Sequence, residues 1–290
     1  MYQRELQNLL TELSEKWSVI SVTGPRQSGK TTLCKMAFPD YEYINLERAT
    51  TLALVKQDIE GFLLQYPNGL IIDEAQNLPE LFSALQVVVD EHKDYRYILS
   101  GSSDFLLMQN ISQTLAGRVA VTRLLPLSIS ELKEDANIDT NTLMWKGFYP
   151  GVWGDGKDPG NVYDSYVSTY LQRDVRQILN IKETHPLRGA IFENMVVCEM
   201  LKKRYNQGLK SNLFFYRDQT AEVDVIQEEA NKIKAYEIKS AERFNQEFTK
   251  SLSYMQKLFG DDISSSYIIY SGKEEMTFKN FSLINYHNIK

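Results

Sequence analysis

The chain has 290 residues and a formal net charge of -6, and its composition is 43% hydrophobic and 24% charged. This length favours two domains, and this composition supports packed cores and excludes a largely disordered chain. The acidic balance argues against a protein that binds polyanions over its whole surface, although basic residues can still cluster on one face.

Two further features concern location and redox chemistry. No stretch of eighteen or more apolar residues occurs, and the N-terminus lacks the basic and then apolar pattern of a secretion signal. We therefore expect a cytoplasmic protein with no membrane partner. Cys34 and Cys198 are the only cysteines, and each lies in an apolar helical pattern, which favours buried free thiols over a disulfide or a metal site.

In chain order, the first half of the sequence alternates helical patterns with short apolar strands. Apolar spacing predicts helices over 4–17, 31–38, 48–66 and 79–92, and β-rich runs predict strands over 19–23, 41–46, 70–72, 95–99 and 119–124. Strands and helices that alternate in this way are typical of a parallel sheet covered on both faces. The sequence therefore predicts an α/β domain over 1–127.

The rest of the chain changes character twice. The β signal fades after Pro126, and a turn-rich patch over 149–156 precedes a helical pattern over 161–179, so we interpret 128–184 as a small helical lid. Helices are then predicted over 186–205 and 245–258, and strands over 213–217, 221–227, 233–239 and 266–270. This pattern predicts a separate α/β domain over 185–290.

The clearest motif lies between the first strand and the second helix, where the sequence reads Gly24-Pro25-Arg26-Gln27-Ser28-Gly29-Lys30-Thr31, followed by Thr32. Its two glycines let successive backbone N–H groups point at phosphate oxygens, and Lys30 adds a charge near the β and γ phosphates. The Thr31 hydroxyl is placed to coordinate Mg²⁺ at the start of the helix. This is a complete Walker A loop, so we predict a P-loop NTPase fold that binds ATP and Mg²⁺.

Carboxylates follow the strand over 70–72 and are typical of a Walker B strand. Asp73 is expected to hold the metal, and Glu74 to act as general base toward the attacking water. The alternative is that this acidic pair only caps the next helix. Ser100 ends the following strand and is a candidate for a hydrogen bond to the γ-phosphate or the water, or else a simple turn serine.

Basic residues beyond that strand are candidates for sensing the nucleotide. Arg118 lies where ATPases of the AAA type carry an arginine finger for a neighbouring subunit, and the alternative is a structural arginine. Arg173 and Asp174 lie on the predicted lid helix, where an ordinary ion pair is the preferred interpretation and a sensor role the alternative. A finger of this kind would imply a homo-oligomer.

A second group of charged residues lies in the last predicted domain. Glu237 and Lys239 are two residues apart on one strand and so project to the same face, with Asp224 on the adjacent strand and Glu193 on the preceding helix. Such a group can hold Mg²⁺ through Asp224 and Glu237 and place a water against a phosphodiester, while Lys239 stabilises the developing charge. This is the chemistry of the PD-(D/E)xK nuclease fold; the alternative is that the fold is right but the charges are solvated or paired.

With both sites located, the sequence resembles the AAA-type ATPases that combine an N-terminal P-loop domain of the AAA_14 type with a C-terminal DUF4143 domain. The matching stretches are Gly24 to Thr32, Leu70 to Gln76, Ile98 to Phe105, Leu115 to Arg118, Leu125 to Ser128, Tyr170 to Val175, His185 to Val197, Glu222 to Asp224, and Glu237 to Ser240. The resemblance covers most of the chain and implies an ATPase coupled to a nuclease-like domain.

The resemblance also implies a winged-helix segment between 181 and 186, where this chain has only Lys182 to His185. Either the DNA-reading module has been lost, or a segment of the natural chain is missing from this sequence. Our first hypothesis is an ATPase that controls a domain acting on DNA or RNA, and the second is a nucleotide-gated scaffold with a catalytically silent nuclease fold. A transcription-factor-like ATPase is a third, weaker reading.

Overall fold

The computed structural model describes residues 2–101, 111, 114–135, 138–154, 158–160, 162, 188–218 and 220–289. The chain divides into two compact units, Met1–Leu127 with Tyr205–Leu209, and Ser128–Arg204 with Lys210–Lys290. The predicted division into three domains stays a prediction, because much of the segment interpreted as a lid lies outside the described residues.

The first unit contains the helices α1 (Leu6–Lys16), α2 (Lys30–Ala37), α3 (Ala49–Val55), α4 (Ile59–Leu63) and α5 (Glu80–Glu91), and the strands β1 (Val19–Thr23), β2 (Glu42–Asn45), β3 (Leu70–Asp73), β4 (Tyr97–Gly101) and β5 (Val119–Arg123). All five strands pair in parallel, in the order β2-β3-β4-β1-β5. The predicted parallel sheet with covering helices is confirmed.

Alternating side chains of the central strands enter two separate cores. On β3, Leu70 and Ile72 pack with α5 and its neighbours, whereas Ile71 packs on the other face with residues of α1 and α2. All three are fully buried, and a buried Leu or Ile contributes about 1.5–3 kcal/mol. Because both faces are covered, these strands read as continuous apolar runs in the sequence.

One predicted helix of this unit is broken in the structure. The helix expected over 48–66 is two helices, α3 and α4, with Asp58 between them. The Asp58 carboxylate accepts a hydrogen bond from the Gly61 N–H at 2.9 Å and so caps α4. An N-cap aspartate starts a new helix, and this signal outweighs the continuous apolar spacing.

The second unit contains the helices α6 (Thr140–Lys146), α7 (Pro150–Gly154), α8 (Arg188–Asn206, whose last two residues belong to the first unit) and α9 (Lys250–Phe259), and the strands β6 (Leu213–Arg217), β7 (Glu222–Glu229), β8 (Lys232–Lys239), β9 (Ile263–Tyr270), β10 (Met276–Thr277) and β11 (Ser282–Asn285). The turn-rich patch predicted over 149–156 is in part the short helix α7, whose first residue is a proline, a favoured residue there.

The sheet of the second unit is mixed, in the order β10-β11-β9-β8-β7-β6. Strands β8, β9 and β11 are parallel, whereas β6, β7 and β8 form an antiparallel meander. Ala230 and Asn231 have φ angles of 50° and 64°, as a two-residue type I′ hairpin between β7 and β8 requires. The carboxyl ends of β8, β9 and β11 therefore lie at the same end of the sheet.

Helix α8 is anchored by buried charges near its C-terminal end. Glu199 and Lys202 are 1% and 3% exposed, with Lys202 Nζ 3.4 Å from a Glu199 carboxylate oxygen. The other Glu199 oxygen accepts a hydrogen bond from the Ile129 N–H at 3.0 Å. A buried pair needs such further partners to offset the loss of hydration. These bonds fix the helix that carries Glu193 and Arg188.

The cysteine and membrane expectations can be compared with this fold. Cys34 and Cys198 are free thiols, the first buried and the second half-buried. Burial raises the pKa of Cys34 to about 12, so this thiol stays protonated. In the described part of the chain, no helix is both long and apolar enough to cross a membrane.

Candidate functional site

The loop between β1 and α2 has the backbone that its glycines predict. Gly24 and Gly29 have φ angles of 144° and 94°, and Gln27 between them also has a positive φ of 61°. A Cβ on Gly24 would lie 2.0 Å from the Leu124 carbonyl oxygen, so no other residue fits there. The loop therefore passes tightly over the end of β5 before α2 begins at Lys30.

The Lys30 side chain lies under this loop. It is 7% exposed, and its Nζ donates to the Gly24 and Pro25 carbonyl oxygens, each at 2.9 Å. A lysine charge held at the mouth of the loop is what the recognition of a phosphate chain requires. The Ser28 hydroxyl oxygen is also buried in the loop and has no hydrogen-bond partner in the described part of the chain.

Asp73 ends β3 and is the centre of a hydrogen-bond network. One of its carboxylate oxygens accepts from the Thr31 hydroxyl at 2.8 Å and from the Tyr43 hydroxyl at 2.9 Å. The other accepts from the Ser100 hydroxyl at 2.5 Å and from the Glu74 N–H at 3.2 Å. The structure thus brings the predicted residues Thr31, Asp73 and Ser100 together, because β3 and β4 pair Asp73 with Ser100.

Glu74 follows in a left-handed conformation, with a φ of 53°. Its carboxylate accepts a hydrogen bond from the Gln76 side-chain amide and makes no cap bond to the short helical turn after it. The next helix, α5, likewise has no side-chain cap. The alternative that this acidic pair only caps a helix is therefore wrong. A non-glycine residue held at positive φ is a feature that clusters at functional sites.

Sequence reasoning missed two residues of this site, Arg4 and Tyr43. The buried guanidinium of Arg4 donates to the Ser28 carbonyl and to the Leu125 carbonyl, each at 2.7 Å, and so ties the loop to the segment after β5. Tyr43 bonds Asp73 from the neighbouring strand, while Lys35 Nζ lies 3.4 Å from the centre of its ring. No short-range pattern marks Arg4, because its partners are 24 and 121 residues away.

Arg118 does not join these residues. Its guanidinium donates to both carboxylate oxygens of Asp90, at 2.8 and 2.7 Å, and this ion pair lowers the pKa of Asp90 to about 2. Arg118 precedes β5, whereas the nucleotide loop follows the opposite end of the paired strand β1, roughly 16 Å away at the usual rise per residue. The other candidates, Arg173 and Asp174, lie outside the described residues.

The charged group of the second unit, here called the acidic cluster, consists of Glu193, Asp224, Glu237 and Lys239. Lys239 Nζ lies 2.6 Å from one Glu237 oxygen and 3.4 Å from one Asp224 oxygen. The same Asp224 oxygen accepts from the Ile238 N–H at 2.6 Å. These three residues border a cavity of about 550 Å³.

The environment of the acidic cluster raises the pKa of two of its carboxyl groups. Burial, and then the charge of Asp224, raise the pKa of Glu237 to about 7, and the same two causes raise the pKa of Glu193. The second Glu237 oxygen is buried without a hydrogen-bond partner in the described part of the chain. Burial lowers the pKa of Lys239, but the Asp224 and Glu237 charges outweigh it, and the net shift is upward.

Side chains of the acidic cluster contact one another and do not surround a preformed metal position in the described structure. Among the described residues, no three His, Cys, Asp or Glu side chains lie close enough together to hold a metal ion. Lys239 contacts both Asp224 and Glu237, whereas no direct contact of Glu193 with these three is recorded among the described residues; the charges of Asp224 and Lys239 act on its pKa. The predicted assignment of Asp224 and Glu237 as metal ligands stays a prediction.

Hydrogen bonds to Asp218 support the rim of the cavity that the acidic cluster borders. The Asp218 carboxylate accepts from the Tyr254 hydroxyl at 2.9 Å and from the Tyr216 hydroxyl at 2.7 Å. Its other oxygen accepts the backbone N–H groups of Thr220 and Ala221. Asp218 therefore fixes the turn before β7 and also the Tyr254 side chain, which borders the cavity.

The parallel sheet, the glycine loop and the carboxylate at the end of β3 define a P-loop fold. A family model of an AAA domain, AAA_14, matches residues 16–133, and a model of a domain of unknown function, DUF4143, matches residues 188–289. The chain therefore combines these two domains, as the resemblance predicted.

Two curated relatives carry no assigned function. Uncharacterized proteins of Mycobacterium bovis and Mycobacterium tuberculosis, Mb2031c and Rv2008c, are each 34% identical to this chain over 169 residues. The match covers 55% of this chain and 36% of each relative, so the chain spans only about a third of their length.

Solved structures with some similarity include two archaeal proteins. The Walker-type ATPase paby2304 of Pyrococcus abyssi is 16% identical with a TM-score of 0.43, over 58% of this chain and 72% of that one. The signal transduction ATPase PH0952 of Pyrococcus horikoshii, which has a tetratricopeptide repeat sensor, is 15% identical with a TM-score of 0.31, over 66% and 32% of the two chains.

Proposed function

We propose that this protein binds ATP with Mg²⁺ and hydrolyses it. The observation that carries the proposal is the Asp73 carboxylate, held between the Thr31 and Ser100 hydroxyls beside the glycine loop. The loop residues fit a phosphate chain, since Gly24 leaves no room for a Cβ and the buried Ser28 hydroxyl has no partner in the described structure. Thr31 and Asp73 are the oxygen ligands that Mg²⁺ prefers.

Each residue has a distinct task in hydrolysis. Mg²⁺, when bound, neutralises charge on the β and γ phosphates. Lys30 turns its ammonium group from the loop carbonyls toward the phosphates. Glu74, oriented by Gln76, takes the proton of the attacking water as general base. Ser100 holds Asp73 in place from the neighbouring strand.

The test is ATP turnover by the purified chain, compared with Lys30→Ala and Glu74→Gln. We expect Lys30→Ala to lose ATP binding and turnover, and Glu74→Gln to keep binding but to lose about 10²–10⁴-fold in kcat, the usual contribution of a general base. Lys93→Ala, which removes an exposed lysine paired with Asp90, is the control and should be active. Wild-type protein that neither binds nor turns over ATP would contradict the proposal.

We further propose that the second unit acts on a phosphodiester of DNA or RNA through the acidic cluster. The supporting observation is Glu237, which is 6% exposed and keeps one buried oxygen without a partner in the described structure. Asp224 and Glu237 would hold Mg²⁺ or Mn²⁺, which supplies a nucleophilic hydroxide when bound. Lys239 lies against both carboxylates and would stabilise the negative charge that develops at the phosphate.

The competing proposal is a nucleotide-gated scaffold whose acidic cluster is silent. It is favoured by the finding that, within the described ranges, no three acidic, His or Cys side chains form a metal group. Cleavage of labelled DNA and RNA with Mg²⁺ or Mn²⁺ decides between the two. Cleavage that Asp224→Ala and Lys239→Ala abolish supports a nuclease; absence of cleavage by the ATP-bound wild type supports the scaffold, and cleavage that both variants retain refutes the assigned site.

A further inference from the structure

A larger cavity of the second unit lies outside the carboxyl ends of the parallel strands β8, β9 and β11. It encloses about 1060 Å³ and is here called the Arg188 cavity; Asn141, Arg188, Phe244, Lys273 and Tyr286 are among its lining residues. In open α/β sheets, ligands bind outside the carboxyl ends of parallel strands. A cavity of this size, slightly above the usual range for small-molecule sites, has room for a nucleotide unit.

Arg188 is the unusual residue of this cavity. It is only 7% exposed, and its guanidinium donates a hydrogen bond to the neutral side-chain oxygen of Asn141. In the described part of the chain, the structure records no carboxylate paired with it. Burying a charge without a counter-ion is costly, so a buried guanidinium that borders a cavity is prepared for an anion.

The acidic residues that also line the cavity do not supply that counter-charge. The Asp139 carboxylate caps α6, where it accepts from the Thr142 N–H at 3.0 Å and from the Thr142 hydroxyl at 2.5 Å, and these bonds lower its pKa. Glu242 and Glu274 are exposed to solvent. The lining also includes Lys273, so a second positive charge is available to an anion.

An exposed aromatic side chain lies at the same cavity. Phe244 is 38% exposed, and its ring is 6.2 Å from Phe278 and 6.0 Å from Phe281, both in a stacked orientation. A planar guanidinium binds a phosphate in bidentate fashion, and an exposed ring offers a stacking face to a base. The combination fits a nucleotide unit better than a simple carboxylate.

The Arg188 cavity is also adjacent to the acidic cluster. Lys239 at the end of β8 is the register partner of Tyr270 at the end of β9, and Tyr270 lines the Arg188 cavity. Neighbouring strands lie about 4.8 Å apart. A chain of nucleotides that occupies one cavity is therefore within reach of the other.

We propose that the Arg188 cavity binds the phosphate of a nucleotide unit, with Arg188 on the phosphate and Phe244 against the base. The unit belongs either to a single strand of nucleic acid or to a free nucleotide, since both present the same phosphate and an unstacked base. The strand alternative rests on the proposed action on nucleic acid, whereas binding itself requires no cleavage.

Binding is measured with the Lys30→Ala protein, in which the P-loop does not compete for nucleotide, and with EDTA, so that no cleavage occurs. The probe is a fluorescein-labelled oligothymidylate of about ten nucleotides, within the usual site sizes for single strands. We expect Arg188→Gln to weaken binding at least about tenfold, as loss of a charge-assisted phosphate contact does. Phe244→Ala should weaken it by a similar factor.

A control variant that also removes one positive charge shows whether binding depends on Arg188 itself or only on the net charge of the protein. Lys232 lies at the other end of β8 and is exposed, so Lys232→Gln should bind as the parent protein does. Competition with thymidine monophosphate identifies the ligand: displacement of the labelled strand at similar concentrations assigns a free nucleotide, and displacement only by unlabelled strand assigns nucleic acid.

Thermal unfolding distinguishes a binding arginine from a structural one. Relief of a buried charge that has no counter-ion among the described residues offsets the loss of the bond to Asn141, so Arg188→Gln should unfold close to the temperature of its parent when no ligand is present. The proposal is overturned if the parent binds neither probe, if Arg188→Gln binds as tightly as its parent, or if that variant is strongly destabilised. None of these results bears on whether the acidic cluster cleaves.

Discussion

At the scale of single residues, Asp73 depends on donors from three different elements. Ser100 is fully buried, and its hydroxyl donates to Asp73 at 2.5 Å from the adjacent strand. Ser100→Ala leaves a buried carboxylate short of one donor, so we expect a loss of about 1–3 kcal/mol in the free energy of unfolding and a lower kcat for ATP. Denaturant titration and ATP turnover measure the two effects.

The matched control is another buried serine of the same sheet. The Ser21 hydroxyl on β1 is buried without a partner in the described part of the chain. Ser21→Ala should therefore be neutral or slightly stabilising and keep full turnover. Equal losses in both variants would mean that the contact with Asp73 is unimportant.

The raised pKa of Glu237 makes the stability of the second unit depend on pH, and it fixes the direction of that dependence. Its pKa is about 7 in the folded protein against an ordinary value of 4.5, so between these pH values the native state holds a proton that the unfolded chain has released. The free energy of unfolding therefore falls as pH rises through this window, by about 3 kcal/mol for a shift of this size.

Glu237→Gln cannot ionise and should lose this pH dependence. Calorimetric unfolding of both proteins from pH 5 to 8 measures it, with exposed Glu222→Gln as a control that keeps the wild-type slope. Metal binding requires the ionised carboxylate, so affinity for Mn²⁺ should rise over the same pH range. A wild-type stability that is flat or rises with pH would contradict this account of Glu237.

At the scale of elements, the segment before α1 holds the nucleotide loop. Arg4 bonds the Ser28 and Leu125 carbonyls, whereas Arg96 bonds the Ser14 and Lys93 carbonyls just before β4, at the opposite end of the strands. Both arginines tie backbone segments together, and only Arg4 touches the loop. Comparing variants of the two arginines therefore separates an effect on protein stability from an effect on nucleotide binding.

We expect Arg4→Met and Arg96→Met each to lose about 2 kcal/mol or more in the free energy of unfolding, because each leaves carbonyl groups without a donor. Only Arg4→Met should also weaken ATP binding, by several-fold, since the loop loses a fixed point. Titration with a fluorescent ATP analogue tests this. Equal affinities for the two variants would show that the loop keeps its shape without Arg4.

At the scale of the whole molecule, Arg118 cannot reach the nucleotide loop of its own chain, because it precedes β5, at the end of the strands opposite to that loop. A finger role therefore requires a neighbouring subunit. If Arg118 acts in this way, its removal should lower turnover by about 10³-fold or more. Asp90→Asn, which removes only the ion-pair partner, should keep turnover.

Mixing two inactive variants distinguishes an arginine finger from a structural arginine. Arg118→Ala has an intact loop and Lys30→Ala an intact Arg118, so we expect the mixture to regain turnover that each protein lacks alone. Full activity of Arg118→Ala by itself would instead assign Arg118 to its pair with Asp90. Turnover that stays absent in the mixture would argue against exchange of residues between subunits.

Much of the first unit was predictable from sequence, for local reasons. Strands buried on both faces read as apolar runs, and Gly24 and Gly29 mark backbone that other residues resist, so the sheet and the loop are visible in short stretches. The break between α3 and α4 was missed, because one capping aspartate was hidden within a continuous apolar pattern.

The amino-acid sequence by itself determined the glycine loop after β1, the carboxylates after β3, and the placement of Asp224 and Glu237 near Lys239, since these follow from spacing along one strand or between neighbouring strands. Only the tertiary structure decided that Tyr43 and Arg4 contact the residues around the glycine loop, that Arg118 lies at the opposite end of the neighbouring strand, and that Arg188 is buried at a cavity. Those contacts join residues far apart in the chain, and their energies depend on burial, which no local pattern encodes.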